Sequence, residues 1–343
     1  MRDRPGTAND GAAPSSGAPD RRALGDPRPA GGTPSAFWRT SKALVRGLAV
    51  ATSPVRPWPE FLIIGTKRGG TTSLYRYLEL HPAVLPLVPS SRYLPLQDNI
   101  KGVKFFDTGY QHGPRWYRSH FPSTVARRLA GRPLGVAPIT GEATPYYLFH
   151  PRAAERAAAV VGHAKVIVLL RDPVERAHSH WAERCRNGTE PLGFEAALEA
   201  EAGRLAGECE RMDRDPTYAS FAHQHQSYVA QSRYAESLAR WREHFPQDQL
   251  LVLCSEELYA DPERELERVH AFLRLPHQRP PDLSARNAIE RESMADPVRR
   301  HLESLFAADV QELEQVAGRT FPWSPSGRPV PANGLAAADG PAP

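Results

Sequence analysis

The chain is poor in cysteine, with only Cys185, Cys209 and Cys254 in 343 residues. None sits at a C-x-x-C or metal-ligand spacing, and an odd count does not build a disulfide framework. Free thiols in a reducing compartment are expected, and with them a cytoplasmic location. Long apolar runs are also missing. The best window near the N-terminus, ALVRGLAVA, is interrupted by Arg46 and is far shorter than the roughly 20 apolar residues of a membrane-spanning helix. The charged, proline-rich lead is longer than the n-region of a signal peptide. Most of the chain lacks net basic charge as well: residues 1–58 hold nine Lys/Arg against four Asp/Glu, so the overall +4 belongs to that segment. A folded nucleic-acid-binding core would carry its own basic face, and no nucleic-acid partner is expected.

What is abundant is proline, 34 residues in all, about twice the usual ~5% and concentrated at both ends. Residues 1–57 and 324–343 read as Pro/Gly/Ala-rich disordered tails. Between them, residues 58–323 alternate short apolar runs with longer helical patterns, the signature of an α/β domain built on a parallel sheet flanked by helices. Strands are predicted at 61–65, 165–170 and 249–254, each a continuous apolar run suited to a sheet buried on both faces, with a weaker one near 134–140. Helices are predicted at 71–80, 151–161, 173–187, 194–205, 226–244, 261–274 and 297–317, several opening on proline in the first turn.

The stretch FLIIGTKRGGTTSL (61–74) is a strand that breaks into a glycine-rich turn and resumes as a helix. Such a turn presents backbone N–H groups and the positive end of a helix dipole to one point, which suits a phosphate. Lys67, Arg68, Gly69, Gly70, Thr71, Thr72 and Ser73 are the candidate ligand-binding residues. The nucleoside-triphosphatase pattern needs a lysine after the second glycine, where this chain has Thr71. No magnesium-holding aspartate ends the 165–170 strand either, because Arg171 comes first. A small-molecule kinase is therefore a weaker reading. Arg171, at the carboxyl end of a predicted parallel strand, and Ser179 on the following helix form a second phosphate-directed pair. Two such sites on one sheet edge imply a nucleotide with phosphates at both ends.

On these two motifs, and on KGVKFFD (101–107) and GEATPYYLFHP (141–151), the chain resembles sulfotransferases that use 3′-phosphoadenosine 5′-phosphosulfate (PAPS). The similarity is to the carbohydrate and heparan-sulfate-type branch and its soluble bacterial relatives. The resemblance implies a P-loop-type parallel sheet, PAPS as cosubstrate, a small-molecule or glycan acceptor and no metal. It implies that the loop 66–73 holds the 5′-phosphosulfate, with Lys67 stabilising the leaving oxygen, and that Arg171 and Ser179 hold the 3′-phosphate. Heparan-type members carry a glutamate base at the second position of KGVKFFD and a histidine at the fourth; here these are Gly102 and Lys104. Lys104 either serves anionic acceptors or is a surface residue. Asp107 and Glu142 are the carboxylates left as candidate bases, Glu142 being equally suited to a structural role. The missing glutamate keeps a catalytically silent nucleotide- or glycan-binding relative as the alternative.

Overall fold

The computed structural model describes residues 46–90, 100–279 and 294–324. Among these residues five parallel strands form one sheet: β1 (Phe61–Gly65), β2 (Val84–Leu85), β3 (Ile139–Ala143), β4 (Lys165–Leu170) and β5 (Leu250–Cys254), in the order β2-β3-β1-β4-β5. Every residue of β1 is buried and all of β4 beyond its first residue, because helices cover both faces. The period-2 alternation sorts the strands between two cores. Leu62, Ile64, Val166 and Val168 face Phe105, Tyr147 and Trp241; Phe61, Ile63, Ile167 and Leu169 face Leu74, Tyr75 and Leu266.

The chain leaves β1 toward β2 and β3 on one side and continues through β4 and β5 on the other. That reversal opens a crevice at the carboxyl ends of β1 and β4. The main helices are α1 (Thr71–Glu79), α2 (Ala153–Val161), α3 (Pro173–Arg186), α4 (Phe194–Leu205), α5 (Phe221–His225), α6 (Tyr234–His244), α7 (Pro262–Phe272) and α8 (Asp296–Ala317). α3 starts where the sequence puts it because Pro173 occupies the first turn and Asp172 accepts the N–H of Val174 at 2.9 Å.

Three expectations are corrected. The weak strand lies at Ile139–Ala143 rather than 134–140, since Pro138 cannot donate to a ladder. The helix predicted from 226 begins only at Tyr234, whose N–H is taken by Asp309 at 2.9 Å. Before it, the Glu201 carboxylate accepts the N–H groups of Tyr228, Val229 and Ala230 at 2.7–2.8 Å, which holds that segment out of the helix. The N-terminal boundary also shifts: residues 46–57 are attached to the body, not part of a disordered tail. Arg46 donates to Ser119 Oγ and Val88 O at 3.0 Å, Arg56 donates to Phe121 O at 2.5 Å, and Ala49 and Ser53 are buried. Residues 1–45 and 325–343, the rest of the expected tails, lie outside the described residues.

Candidate active site

The turn after β1 is short and tightly tied. Thr66 N–H donates to Leu169 O on β4 at 2.8 Å, and Gly69 N–H returns to Thr66 O at 3.0 Å. Gly70 caps α1 at φ 89°, a left-handed conformation that glycine adopts without steric cost. The first bond of the helix runs from Leu74 N–H to Gly70 O at 3.1 Å. The N–H groups of Thr71, Thr72 and Ser73 therefore lie at the helix end, beside the dipole's positive pole.

The two basic residues of the turn diverge. Arg68, itself at φ 67°, sends its guanidinium to α3, where Nε donates to Ser179 Oγ at 3.1 Å and a terminal nitrogen meets Glu183 at 2.9 Å. Arg171, leaving β4, donates to Arg68 O at 3.1 Å and lies 3.8 Å from Glu175. The turn, the end of β4 and α3 thus bring Arg68, Arg171 and Ser179 together. Lys67 goes elsewhere: its ammonium donates to Gln224 O at 2.5 Å, lies 3.5 Å from His225 Nδ1 and stands 5.5 Å over the Tyr146 ring. A third cation joins from the KGVKFFD segment. Lys101 donates to Thr72 Oγ1 at the start of α1, and burial, with Arg76 adding to it, pushes its ammonium down to about 8.

On the β3 side the candidate carboxylates are closed in. Glu142 is 0% exposed; Oε2 accepts Val103 N–H at 2.6 Å and the Thr144 hydroxyl at 2.8 Å, and Oε1 accepts the Tyr147 hydroxyl at 3.0 Å. Burial raises its pKa to about 7, those bonds opposing. It clamps the 101–106 segment to the end of β3, alongside the bond from Ala143 N–H to Lys101 O at 2.7 Å. Asp107 is 3% exposed: Oδ1 accepts Thr108 N–H at 2.6 Å, and Oδ2 is buried without a hydrogen-bond partner among the described residues. Lys104 is exposed, with φ 55°. Gly102 sits so close to the end of β3 that a Cβ there would fall 2.5 Å from Ala143 O and 2.6 Å from Thr144 Oγ1. No side chain fits at that position without moving backbone.

Sequence reasoning gave no role to Lys101, Glu183, Tyr146 or His223. Lys101 lies within the KGVKFFD segment, and His223 and Gln224 carry no motif that marks them in the sequence. The histidines flanking Ser179 point apart: His178 stacks with Trp181 and His180 is buried against Tyr228. Among the described residues no helix is long and apolar enough to cross a membrane.

Residues 59–296 match the sulfotransferase domain family. The chain belongs to the sulfotransferase family. This sulfotransferase is 34% identical over 230 residues to the human heparan sulfate glucosamine 3-O-sulfotransferase 6, covering 67% of this chain and 56% of that one. It is 25% identical over 330 residues to a membrane-associated sulfotransferase of Dictyostelium discoideum, covering 77% and 66%. The sulfotransferase of Alicyclobacillus acidocaldarius superposes with a TM-score of 0.54 at 27% identity, covering 78% of this chain and 99% of that one. Against the heparan sulfate enzymes it matches, the chain spans between about a fifth and just over half of their length.

Proposed function

We propose that this sulfotransferase moves a sulfuryl group from PAPS to a hydroxyl or amine of a carbohydrate-like or other small acceptor. The observation that carries this reading is the convergence of the 66–73 turn, Arg171 and Ser179 at adjacent strand ends, which supplies anion-holding groups for two separate phosphates. In this reading the N–H groups at the start of α1 receive the 5′-phosphosulfate, while Arg171 and Ser179 receive the 3′-phosphate. The acceptor oxygen or nitrogen attacks sulfur in line as the bond to the bridging oxygen breaks. Charge grows on that oxygen, and Lys67 and the helix end meet it; such preorganised stabilisation favours the transition state over the ground state. The heparan sulfate relatives support a sugar acceptor. The free thiols Cys185, Cys209 and Cys254 support a reducing compartment such as the cytoplasm.

Calorimetry with 3′-phosphoadenosine 5′-phosphate and ADP, both with chelator present, tests the donor assignment. The 3′-phosphorylated nucleotide is expected to bind more tightly by roughly ten- to a hundredfold, the worth of a charge-assisted contact of about 1.5–3 kcal/mol. Equal affinities would remove the assignment.

A further inference from the structure

The family's glutamate position is Gly102, and the structure shows why no substitute stands beside it: the backbone there packs directly on Ala143 and Thr144. Glu142 is sealed and triply hydrogen-bonded, and Asp107 turns both oxygens into the protein. The proton acceptor has to come from another wall of the site.

That wall is formed by the residues that Lys67 touches. Arg68 and Lys67 diverge from the phosphate turn, Arg68 to Ser179 and Lys67 to Tyr146 and α5. The ammonium pins α5 in place through Gln224 O at 2.5 Å, so the histidines on either side of Gln224 are fixed relative to the turn. They are not equivalent. His225 Nδ1 faces Arg184 at 2.9 Å and Lys67 at 3.5 Å, so two cations crowd that ring. The His223 ring is stacked on Phe149 at 4.3 Å and held through Nδ1 by the Tyr146 hydroxyl at 2.7 Å. Its Nε2 makes no hydrogen bond with the described residues.

We propose that His223, oriented by Tyr146 and held next to Lys67 through Gln224, takes the proton from the acceptor during sulfuryl transfer. The inference rests on the sulfotransferase reading of the site. In the tautomer that donates Nδ1–H to the Tyr146 oxygen, Nε2 carries the lone pair. The acceptor O–H or N–H bond breaks toward Nε2 as the new bond to sulfur forms. The sulfur–oxygen bond to the donor breaks with its electron pair leaving on the nucleotide phosphate, and imidazolium is left beside it. The charged and titratable groups around His223 are Lys67 from the turn, Tyr146 and His150 after β3, Glu208 from the 208–214 helix and Arg240 from α6. Burial, with Arg240 and Lys67 adding to it against Glu208, lowers its pKa to about 4. The imidazole is therefore neutral, and able to accept a proton, throughout the neutral range.

The test uses the full chain, PAPS, and either a desulfated heparan oligosaccharide or p-nitrophenol, whichever the unmutated protein turns over faster. For His223→Ala, kcat is expected to fall by at least about a hundredfold, the usual worth of general-base catalysis. Affinity for 3′-phosphoadenosine 5′-phosphate should stay unchanged by calorimetry, and added imidazole should recover part of the lost rate. Tyr146→Phe, which keeps the ring under Lys67, should lower kcat and leave KM in place, and it carries the test if the alanine variant does not fold. On an acceptor that does not itself ionise between pH 5 and 7, the unmutated protein should show kcat flat across that range, bending only near 4, the value set for His223. A limb in kcat near pH 7 on such a non-ionising acceptor, the range to which burial raises Glu142, would overturn the assignment, as would a His223→Ala rate within about threefold of the unmutated protein. Failure of the unmutated protein to bind the 3′-phosphorylated nucleotide would instead remove the donor reading beneath it.

Discussion

Glu142→Gln tests what the buried carboxylate contributes. In the unfolded chain its pKa is near the ordinary 4.5; in the folded protein burial raises it to about 7. Between those values the folded state keeps a proton the unfolded state has lost, so stability falls as pH rises through the window and levels off above it. At 1.36 kcal/mol per pH unit, the window from 4.5 to about 7 is worth about 3 kcal/mol. Glutamine does not titrate, so the unmutated protein should lose about this much stability relative to the variant on going from pH 4.5 to 7.5. The neighbouring Tyr75, Tyr117 and Tyr147 are held well above 10 and contribute no slope there. At low pH the variant should be the less stable, by about 1–3 kcal/mol, because the amide turns an N–H₂ toward donors at Val103, Thr144 or Tyr147. Urea unfolding followed by tryptophan fluorescence at four pH values reads the difference. A stability difference constant to within about 0.5 kcal/mol across that range would refute the burial argument.

Arg171→Ala should narrow the preference for 3′-phosphoadenosine 5′-phosphate over ADP by roughly ten- to a hundredfold; competition calorimetry showing an unchanged ratio would move the 3′-phosphate elsewhere. Gly102→Ala should cost about 1–3 kcal/mol in urea unfolding, because its Cβ meets backbone at Ala143; a neutral substitution would show that the segment yields freely. Deleting residues 1–57 should cost at least about 1 kcal/mol through loss of the Arg46 and Arg56 bonds, read as a Tm below that of the full chain; an unchanged Tm would contradict the attachment.

The parallel sheet was legible because FLIIG, KVIVLL and LLVLC are continuous apolar runs with nothing polar to place on a solvent face, and Pro173 after Asp172 marks the start of α3 unambiguously. Arg171 and Ser179 were legible as a pair because strand ends in this topology gather on one edge, but that Arg68 turns from its own loop to join them was not. Val84–Leu85 is too short to leave a pattern, and the Glu201 and Asp309 carboxylates that delay α6 reach it from 27 or more residues away in the chain. The divergence of Lys67 from Arg68 depends on a left-handed backbone at Arg68, which no propensity for arginine announces. The sequence offered Glu142 as a polar residue at a strand end, but only the surrounding donors show that its carboxylate is spent on structure. His223 was hidden for the opposite reason: its meaning comes from Tyr146, 77 positions earlier.

The central claim is transfer of a sulfuryl group from PAPS, and the most direct measurement follows the sulfur itself. PAPS carrying radiolabelled sulfur is incubated with the full chain and a desulfated heparan oligosaccharide or p-nitrophenol. Label should appear on the acceptor in equal amount to the 3′-phosphoadenosine 5′-phosphate released, and Lys67→Ala should lower kcat far more than it weakens nucleotide binding. Tight nucleotide binding with no label on either acceptor, or on a wider panel of hydroxyl and amine acceptors, would contradict the claim and leave a nucleotide-binding relative that does not turn over.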